Sequence, residues 1–267
     1  MSSAKKQRTH PQYELLYWPG IPGRGEYIRL AFEASGVPFK DTGNEAKNGA
    51  SIVVSACCDK NSTGDSDGNP PSFAPPGLRV PGEGKDGKTL FISQTPNILL
   101  YLGPKLGLAG EDEVDALYVN SLTLTALDLS NETHDTHHPV ASMLYYEDQK
   151  EESLKKATDF RENRIPKFFG YFERVLKGNE KKGGEGKYMV GPKLTYADTT
   201  LWQVLDGLHF AFPNECKARS SEFPVLQKFY QNMKEEKGLK EYIESGRRLE
   251  FSNGLFRHYP ELDRQEK

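Results

Sequence analysis

The chain has 267 residues, of which 36% are hydrophobic and 27% charged, a composition typical of a globular protein with room for two modest domains. Its net charge of −3 argues against a nucleic-acid partner, because such proteins carry a basic stripe. No apolar run approaches the ~20 residues that cross a bilayer, so we expect no membrane partner. The three cysteines, Cys57, Cys58 and Cys216, argue against a disulfide framework and favour a reducing, cytoplasmic compartment.

The first part of the chain predicts a small α/β unit. Segment 13–18 is aromatic and aliphatic and is stopped by Pro19 and Gly20, which predicts a buried strand. Apolar residues then recur at helical spacing from Gly23 to Gly36, which predicts a helix closed by a glycine. The next element expected is a strand at 37–40. Periodicity then disappears from 43 to 76, where the polar stretch 61–71 predicts a long loop. A hairpin with strands at 78–80 and 89–92 and a helix from 96 to about 102 are expected to follow.

The second part predicts an all-helical region. After a linker at 103–110, the expected helices cover 114–129, 160–176, 196 to about 210, and 224 to about 245. Thr195 and Asp198 have the spacing of a capping box at the start of the third of these helices. We therefore expect a disordered tail at 1–12, an α/β domain at 13–104 and an all-helical domain at 111–267.

Five short motifs occur along this pattern in a fixed order. They are Leu16-Tyr17-Trp18, Gly23-Arg24-Gly25, Phe73-Ala74-Pro75-Pro76-Gly77-Leu78, the run from Ser93-Gln94-Thr95-Pro96 to Leu102, and the run from Tyr188 to Asp198. Together they resemble the cytosolic glutathione S-transferases, most of all the tyrosine-using sigma, mu and pi classes. The resemblance implies a thioredoxin-like N-terminal domain, an all-helical C-terminal domain for electrophile binding and dimerisation, glutathione as co-substrate, and a homodimer acting on small electrophiles.

Tyr17 is the residue to which the resemblance assigns catalysis. A free thiol has a pKa of about 8.5, so only about 3% is thiolate at pH 7. A downward shift of roughly two units, about 2.7 kcal/mol, makes thiolate the main form, and a hydrogen bond to a charged acceptor contributes about 1.5–3 kcal/mol. One tyrosine hydroxyl can therefore nearly suffice. Tyr13, four residues earlier, is the alternative donor.

Gln94 and Thr95 precede a predicted helix. Thr95 before Pro96 is typical of an N-cap followed by proline at the first helical position. The N–H groups at such a helix start suit a carboxylate. The resemblance implies that Gln94 and Thr95 hold the γ-glutamyl carboxylate of glutathione, with Thr95 in the place of a common serine.

The run Ala74-Pro75-Pro76 enters the third predicted strand, where the family has a cis-proline. The resemblance implies that the residue before the cis bond pairs its backbone N–H and C=O with the cysteinyl unit of glutathione. Because a Pro75–Pro76 cis bond would leave that residue without an N–H, we expect the cis bond at Ala74–Pro75, with Ala74 making the contact. The Pro75–Pro76 bond stays the alternative.

Charged residues complete the glutathione site that the resemblance implies. Arg24 aligns with a position near the catalytic tyrosine, at the start of the first helix. Asp128 lies thirty-three residues beyond Thr95, where the tyrosine classes have an aspartate that reaches the γ-glutamyl amino group bound to the partner chain. The cation for the glycyl carboxylate is left open among Lys47, Lys60 and Arg79.

The resemblance implies that Trp18, His134 and His138 line the electrophile pocket. His134 and His138 lie one helical turn apart, which is a possible spacing for metal ligands. Pro139 follows directly, however, and the sequence around them, with Asp135 and His137, offers no evident second ligand set. We therefore expect cleft-lining histidines and no metal.

Three functions fit this combination of residues. The first is conjugation of glutathione to electrophiles, or thiol-dependent reduction of peroxides. The second is a glutathione-dependent isomerisation of the prostaglandin D synthase type, and the third is a non-catalytic role as a ligand carrier or lens crystallin. The joint presence of Tyr17, Gln94, Thr95 and Asp128 argues against the third function. Nothing in the sequence separates the first two or identifies the electrophile.

Overall fold

Four short strands form one mixed sheet in the N-terminal part of the chain. The structure is a computed structural model that describes residues 10–181 and 186–265. The strands are β1 (Tyr13–Leu16), β2 (Phe39–Asp41), β3 (Gly77–Val80) and β4 (Leu90–Ser93), in the spatial order β2-β1-β3-β4. β1 pairs parallel to β2 and antiparallel to β3, and β3 pairs antiparallel to β4. The predicted strands are thus present, and the expected tail at 1–12 lies outside the described residues except for 10–12.

Helices cover both faces of the sheet. They are α1 (Glu26–Ser35), α2 (Thr42–Glu45), α3 (Gly49–Cys57) and α4 (Thr95–Leu106). Successive residues of a strand point to opposite faces, so Leu15 packs into the main core with α1 and α4, whereas Leu16 packs with Val53 and Cys57 of α3. The predicted first helix is confirmed, and Gly36 ends it at a φ of 69° as a left-handed cap.

Helices α2 and α3 lie in a stretch where the sequence shows no periodicity and predicted no helix, whereas the predicted loop at 61–71 contains only turns and irregular structure. The sequence Gly-Ala-Ser-Ile-Val-Val-Ser-Ala-Cys is rich in residues of low helix propensity, which hides the helix from a propensity argument. Val53 and Cys57 are nevertheless spaced four residues apart and both bury against Leu16. Tertiary packing, rather than propensity, therefore accounts for α3.

The rest of the chain is helical, as expected. The helices are α5 (Glu113–Asp135), α6 (Lys150–Asp159), α7 (Ile165–Asn179), α8 (Tyr196–Ala211), α9 (Pro213–Arg219), α10 (Pro224–Met233) and α11 (Lys237–Glu244). A π-helical segment, Phe160–Arg164, joins α6 to α7. The predicted helix at 160–176 is therefore part of a longer helical stretch that already begins with α6. The predicted helix from 224 to 245 is divided into α10 and α11. None of the described helices is long and apolar enough to cross a membrane.

Helix α8 forms the centre of the helical region. Its Trp202 is fully buried, and the predicted capping box is confirmed at its start, where Thr195 and Asp198 bond reciprocally. Asp198 also accepts the backbone N–H of Met189 at 2.8 Å, which ties the preceding segment to the helix. The helical region meets the sheet region through α8 and α11, both of which pack on α1. Helix α1 therefore lies between the two regions and positions the turn in front of it.

Candidate active site

Tyr17 directly follows β1 and is buried, with 5% of its surface exposed. Its hydroxyl oxygen accepts the backbone N–H of Arg24 at 2.8 Å. A Cβ atom at Gly23 would lie 2.2 Å from that oxygen, and one at Gly25 would lie 2.6 Å from the ring, so both positions require glycine. The turn at the start of α1 thus fixes the acceptor side of the hydroxyl and leaves its proton available for a ligand.

Burial raises the pKa of Tyr17 above its ordinary value, against the opposing effects of the Arg24 N–H and of the charges of Arg24 and Arg29. The hydroxyl is therefore protonated at neutral pH and is a hydrogen-bond donor. Tyr13, the alternative, is fully buried in the main core, and its hydroxyl finds no hydrogen-bond partner within 10–181 and 186–265. The geometry favours Tyr17 as the donor.

Arg29 stabilises the turn that precedes α1 through hydrogen bonds, a role that the sequence analysis missed. Its Nε donates to Asp41 Oδ2 at 2.6 Å, and its Nη1 donates to the Pro22 carbonyl at 3.1 Å and to Glu26 Oε2 at 3.2 Å. The guanidinium carbon lies 5.9 Å from the centre of the Tyr17 ring. The available signal was the Glu26–Arg29 pair at helical spacing within an otherwise apolar segment.

Gln94, and not Thr95, occupies the N-cap position of α4, which corrects the sequence prediction. The Gln94 carbonyl accepts the first helical bond, from the N–H of Ile98 at 2.9 Å, and Thr95 is the first helical residue. Thr95 is buried, and its hydroxyl lies 3.4 Å from the Arg24 carbonyl. Gln94 has a φ of 72°, a conformation rare for a non-glycine residue and commonest at functional sites. The helix start still offers N–H groups to an anion beside the Tyr17 turn.

The cis peptide bond is Pro75–Pro76, so the expected bond at Ala74–Pro75 is wrong. Pro76 directly precedes β3, whereas Ala74 is exposed and lies two residues further from the strand. The residue before the cis bond is therefore Pro75, which is buried and has no N–H. Only its carbonyl can bond to a peptide ligand there.

Arg24 and Asp128 lie at the same edge of the helical region. Arg24 donates from Nη2 to Asn131 Oδ1 of α5 at 2.9 Å. Asp128 is exposed one helical turn before Asn131, on the same face of α5.

Of the three cations considered for the glycyl carboxylate, Arg79 is already ion-paired with Glu14 at 2.6 Å, whereas Lys47 and Lys60 are exposed.

His134 and His138 lie together at the end of α5, with their rings stacked 4.9 Å apart. The structure adds His137, which the sequence analysis noted beside them but did not assign to the pocket, and which is buried. Trp18 is placed elsewhere: it packs on the cluster of Leu16, Val53 and Cys57 between β1 and α3. The rings of His134 and His138 contact each other, while the apolar contacts of Trp18 lie on the cluster beside α3.

Comparison with known proteins identifies relatives of this chain. Residues 134–246 match the family model described as "Glutathione S-transferase, C-terminal domain". The chain is 27% identical over 230 residues to a glutathione S-transferase of Plasmodium falciparum (isolate 3D7), covering 86% of this chain and 94% of that protein. It is 28% identical to glutathione S-transferase P 10 of Caenorhabditis elegans, covering 86% and 90%. The chain is thus similar to glutathione S-transferases over most of its length.

The solved structures agree with this similarity at the level of the fold. The pi-class glutathione S-transferase of Onchocerca volvulus superposes with a TM-score of 0.62 at 26% identity, covering 88% of this chain and 93% of that one. The thioredoxin-like region followed by a helical region is thus the glutathione S-transferase fold, as the sequence predicted. Arg24 contacts all three parts of the candidate site. Its N–H donates to the Tyr17 hydroxyl, its carbonyl lies 3.4 Å from the Thr95 hydroxyl at the start of α4, and its Nη2 donates to Asn131 of α5.

Proposed function

We propose that this chain is a glutathione S-transferase that uses Tyr17 to hold glutathione as a thiolate and transfers that thiolate to small electrophiles. The observation that carries the proposal is the hydrogen bond from the Arg24 N–H to the Tyr17 hydroxyl oxygen at 2.8 Å. Because the oxygen already accepts this bond, the hydroxyl proton is directed to another acceptor. A thiolate in that place gains a charge-assisted hydrogen bond, which favours the ionised form of the sulfur.

We propose that the rest of the tripeptide binds along the turn before α1 and the start of α4. The N–H groups at the start of α4, with Gln94 and Thr95, would take the γ-glutamyl carboxylate. The Pro75 carbonyl would accept the cysteinyl N–H, a single bond in place of a strand-like pair. Arg24 would stabilise the anionic peptide from the side of α5.

We propose that the active unit is a homodimer in which Asp128 of one chain meets the glutathione amino group of the other. Exposed apolar residues recur along one face of α5 at Val114, Leu117 and Leu124, and Asp128 continues that series by four residues. An apolar stripe of this kind is typical of a protein–protein interface. Asp128 would then lie at the edge of the interface, where it can reach a neighbouring chain.

We propose a detoxification role in the cytoplasm, with a small apolar or electrophilic substrate bound near His134 and His138. The three cysteines are free thiols, in keeping with a reducing compartment. A glutathione-dependent isomerase or peroxidase would use the same thiolate, so a substrate panel has to separate these reactions.

The test is a steady-state assay with glutathione and a panel of aromatic halides, enals, hydroperoxides and endoperoxides. Tyr17→Phe should lower kcat/KM by about one to two orders of magnitude at pH 6.5, the loss expected when the thiolate fraction falls. Tyr13→Phe is the matched control, because it removes a hydroxyl without a partner among the described residues. Equal activity of the two variants would contradict the proposal.

A further inference from the structure

Three histidine side chains converge at the C-terminal end of α5, a cluster composed of His134, His137 and His138. Each offers one ring nitrogen, and these nitrogens all lie within 4.8 Å of one another. The Nδ1 atoms of His137 and His138 are only 2.5 Å apart. Nitrogens around a tetrahedral zinc ion are separated by about 3.3 Å, given Zn–N distances of about 2.0–2.1 Å. Small ring rotations would bring the cluster to that spacing.

The tautomers of the cluster are set by its neighbours. His137 Nε2 lies 3.1 Å from the Leu255 carbonyl, which can only accept, so Nε2 carries the proton and Nδ1 carries the lone pair. His134 Nδ1 lies 3.3 Å from Asp135 Oδ1, which in the same way leaves the lone pair of a neutral His134 on Nε2. A metal-bound histidine usually donates its other ring N–H to a backbone carbonyl or a carboxylate.

The cluster is built from the fold rather than from a flexible surface. His137 is 1% exposed, and Thr136 beside it bonds back to the Thr133 carbonyl at 2.7 Å. The charged groups that act on the cluster are Asp135, Arg24 and Arg257. The positive charges of the two arginines disfavour binding of a metal cation, and the negative charge of Asp135 favours it. We therefore expect a site of moderate affinity.

We propose that His134, His137 and His138 bind one zinc ion per chain, with a fourth coordination position left to solvent or an added ligand. Three neutral imidazoles are a set that suits divalent zinc, and three protein ligands with one open position are typical of its reactive sites. No ion is needed for the thiolate chemistry proposed for Tyr17, so absence of zinc binding would leave that proposal standing. Because His134 and His138 also belong to the proposed substrate pocket, zinc binding is measured without glutathione or substrate.

The site lies close to the thiol-activating residue. Leu255, whose carbonyl anchors His137, follows Gly254, and an added Cβ on Gly254 would lie 4.0 Å from Gly23. Gly23 in turn lies against the Tyr17 hydroxyl. Zinc bound to the cluster would therefore be linked to the catalytic turn through the segment 254–255.

Calorimetric titration of the full-length, metal-free protein with zinc tests the proposal. We expect one ion per chain in the wild type. Loss of an outer partner alone typically weakens metal binding about 10- to 100-fold, so His138→Gln and His134→Gln should each weaken it by at least about tenfold. His258→Gln is the matched control, because His258 is exposed and outside the cluster; it should bind zinc as the wild type does.

Cobalt substitution gives a second readout that is independent of activity. A visible d–d spectrum without a thiolate charge-transfer band is expected, since the proposed ligands are nitrogens. Circular dichroism of each variant separates loss of the site from loss of folding, and His138→Gln, at a half-buried position, serves if His137→Gln fails to fold. Absence of stoichiometric zinc binding, unchanged affinity in both histidine variants, or a cobalt–thiolate band from Cys58 would overturn the proposal.

Discussion

The hydroxyl of Tyr17 is oriented by a backbone amide rather than by another side chain. Because the Arg24 N–H lies 2.8 Å from the oxygen, the orientation depends on the path of the turn at Gly23–Gly25. A hydrogen bond to a thiolate contributes about 1.5–3 kcal/mol only if the donor points at the sulfur. The two glycines that pack on Tyr17 are therefore as important for thiol activation as the tyrosine itself.

We predict that Gly23→Ala displaces the Tyr17 hydroxyl, because its Cβ would come 2.2 Å from the oxygen at a φ of +44°. The expected loss in kcat/KM is about 100-fold, the scale of a misplacement of about 1 Å. Gly20→Ala is the matched control, since Gly20 also has a positive φ but no atom within 4 Å of the added Cβ. Steady-state kinetics and thermal melting of both variants check this. Wild-type kcat/KM in Gly23→Ala would contradict it.

At the scale of the secondary-structure elements, one buried ion network holds the active-site turn against the sheet. Arg29 of α1 bonds Asp41 at the end of β2, Glu26 within α1 and the carbonyl of Pro22 in the turn. The side chains of Arg29, Glu26 and Asp41 are 3%, 0% and 12% exposed, so water is largely excluded from this network. Without the arginine, Asp41 would lose its ion pair and Glu26 would depend on Arg248 Nε, which lies 3.4 Å from its Oε1.

We predict that Arg29→Met lowers the free energy of unfolding by about 3–5 kcal/mol, the usual cost of breaking a buried ion pair from one side. Arg247→Met is the control: Arg247 pairs with Glu33 from a side chain that is 59% exposed, and its loss should cost less than about 1 kcal/mol. Urea denaturation followed by tryptophan fluorescence measures both. Similar losses in the two variants would show that the Arg29 network does not stabilise the fold as described.

The elements that sequence reasoning predicted correctly are those with local signals. Gly36 follows an apolar helical stripe and does end α1, and the Thr195–Asp198 spacing does form a capping box. The elements that it missed depend on contacts distant in sequence. Helix α3, for example, buries Val53 and Cys57 against Leu16, more than thirty residues earlier in the chain.

The same distinction applies to the candidate site. Tyr17, Gln94 and Thr95 could be named from motifs, because each lies at a recognisable strand end or helix start. Arg29 could not be named, and His137 could be noted but given no role, since their importance comes from burial and from partners that lie across the fold. Motifs locate the groups that meet a ligand, whereas the groups that hold them in place appear only in three dimensions.

At the scale of the whole molecule, the exposed apolar residues of α5 form the proposed dimer interface, and Asp128 at its edge would make glutathione binding depend on dimerisation. We predict that Asp128→Asn raises the dissociation constant for glutathione by about tenfold, the equivalent of 1.4 kcal/mol, because a charge-assisted bond to the amino group is lost. The pKa of the bound thiol should not change, since the amino group is remote from the sulfur. Glu113→Gln, an exposed acid on the same helix, is the control. Calorimetric titration with glutathione measures the effect, and wild-type affinity in Asp128→Asn would contradict it.

We also predict that Leu124→Glu weakens the dimer at least about tenfold, because a charge replaces an apolar side chain within the proposed interface. Leu154→Glu on α6 is a closely matched control, since Leu124 and Leu154 are both 44% exposed. Sedimentation velocity over a range of concentrations compares the two. Glutathione affinity should fall together with dimerisation in Leu124→Glu only. A wild type that is monomeric and fully active would contradict the proposed assembly.

The central claim is that Tyr17 keeps bound glutathione ionised, and ultraviolet absorbance of the bound thiolate against pH tests it most directly. Burial raises the pKa of Tyr17, so the tyrosine stays protonated across the titration and the signal belongs to the sulfur. For wild type and Tyr13→Phe we predict a midpoint roughly two units below the free-thiol value of about 8.5. For Tyr17→Phe we predict a midpoint near that free value, with its loss of activity fading as the pH rises. Superimposable curves for wild type and Tyr17→Phe would contradict the account.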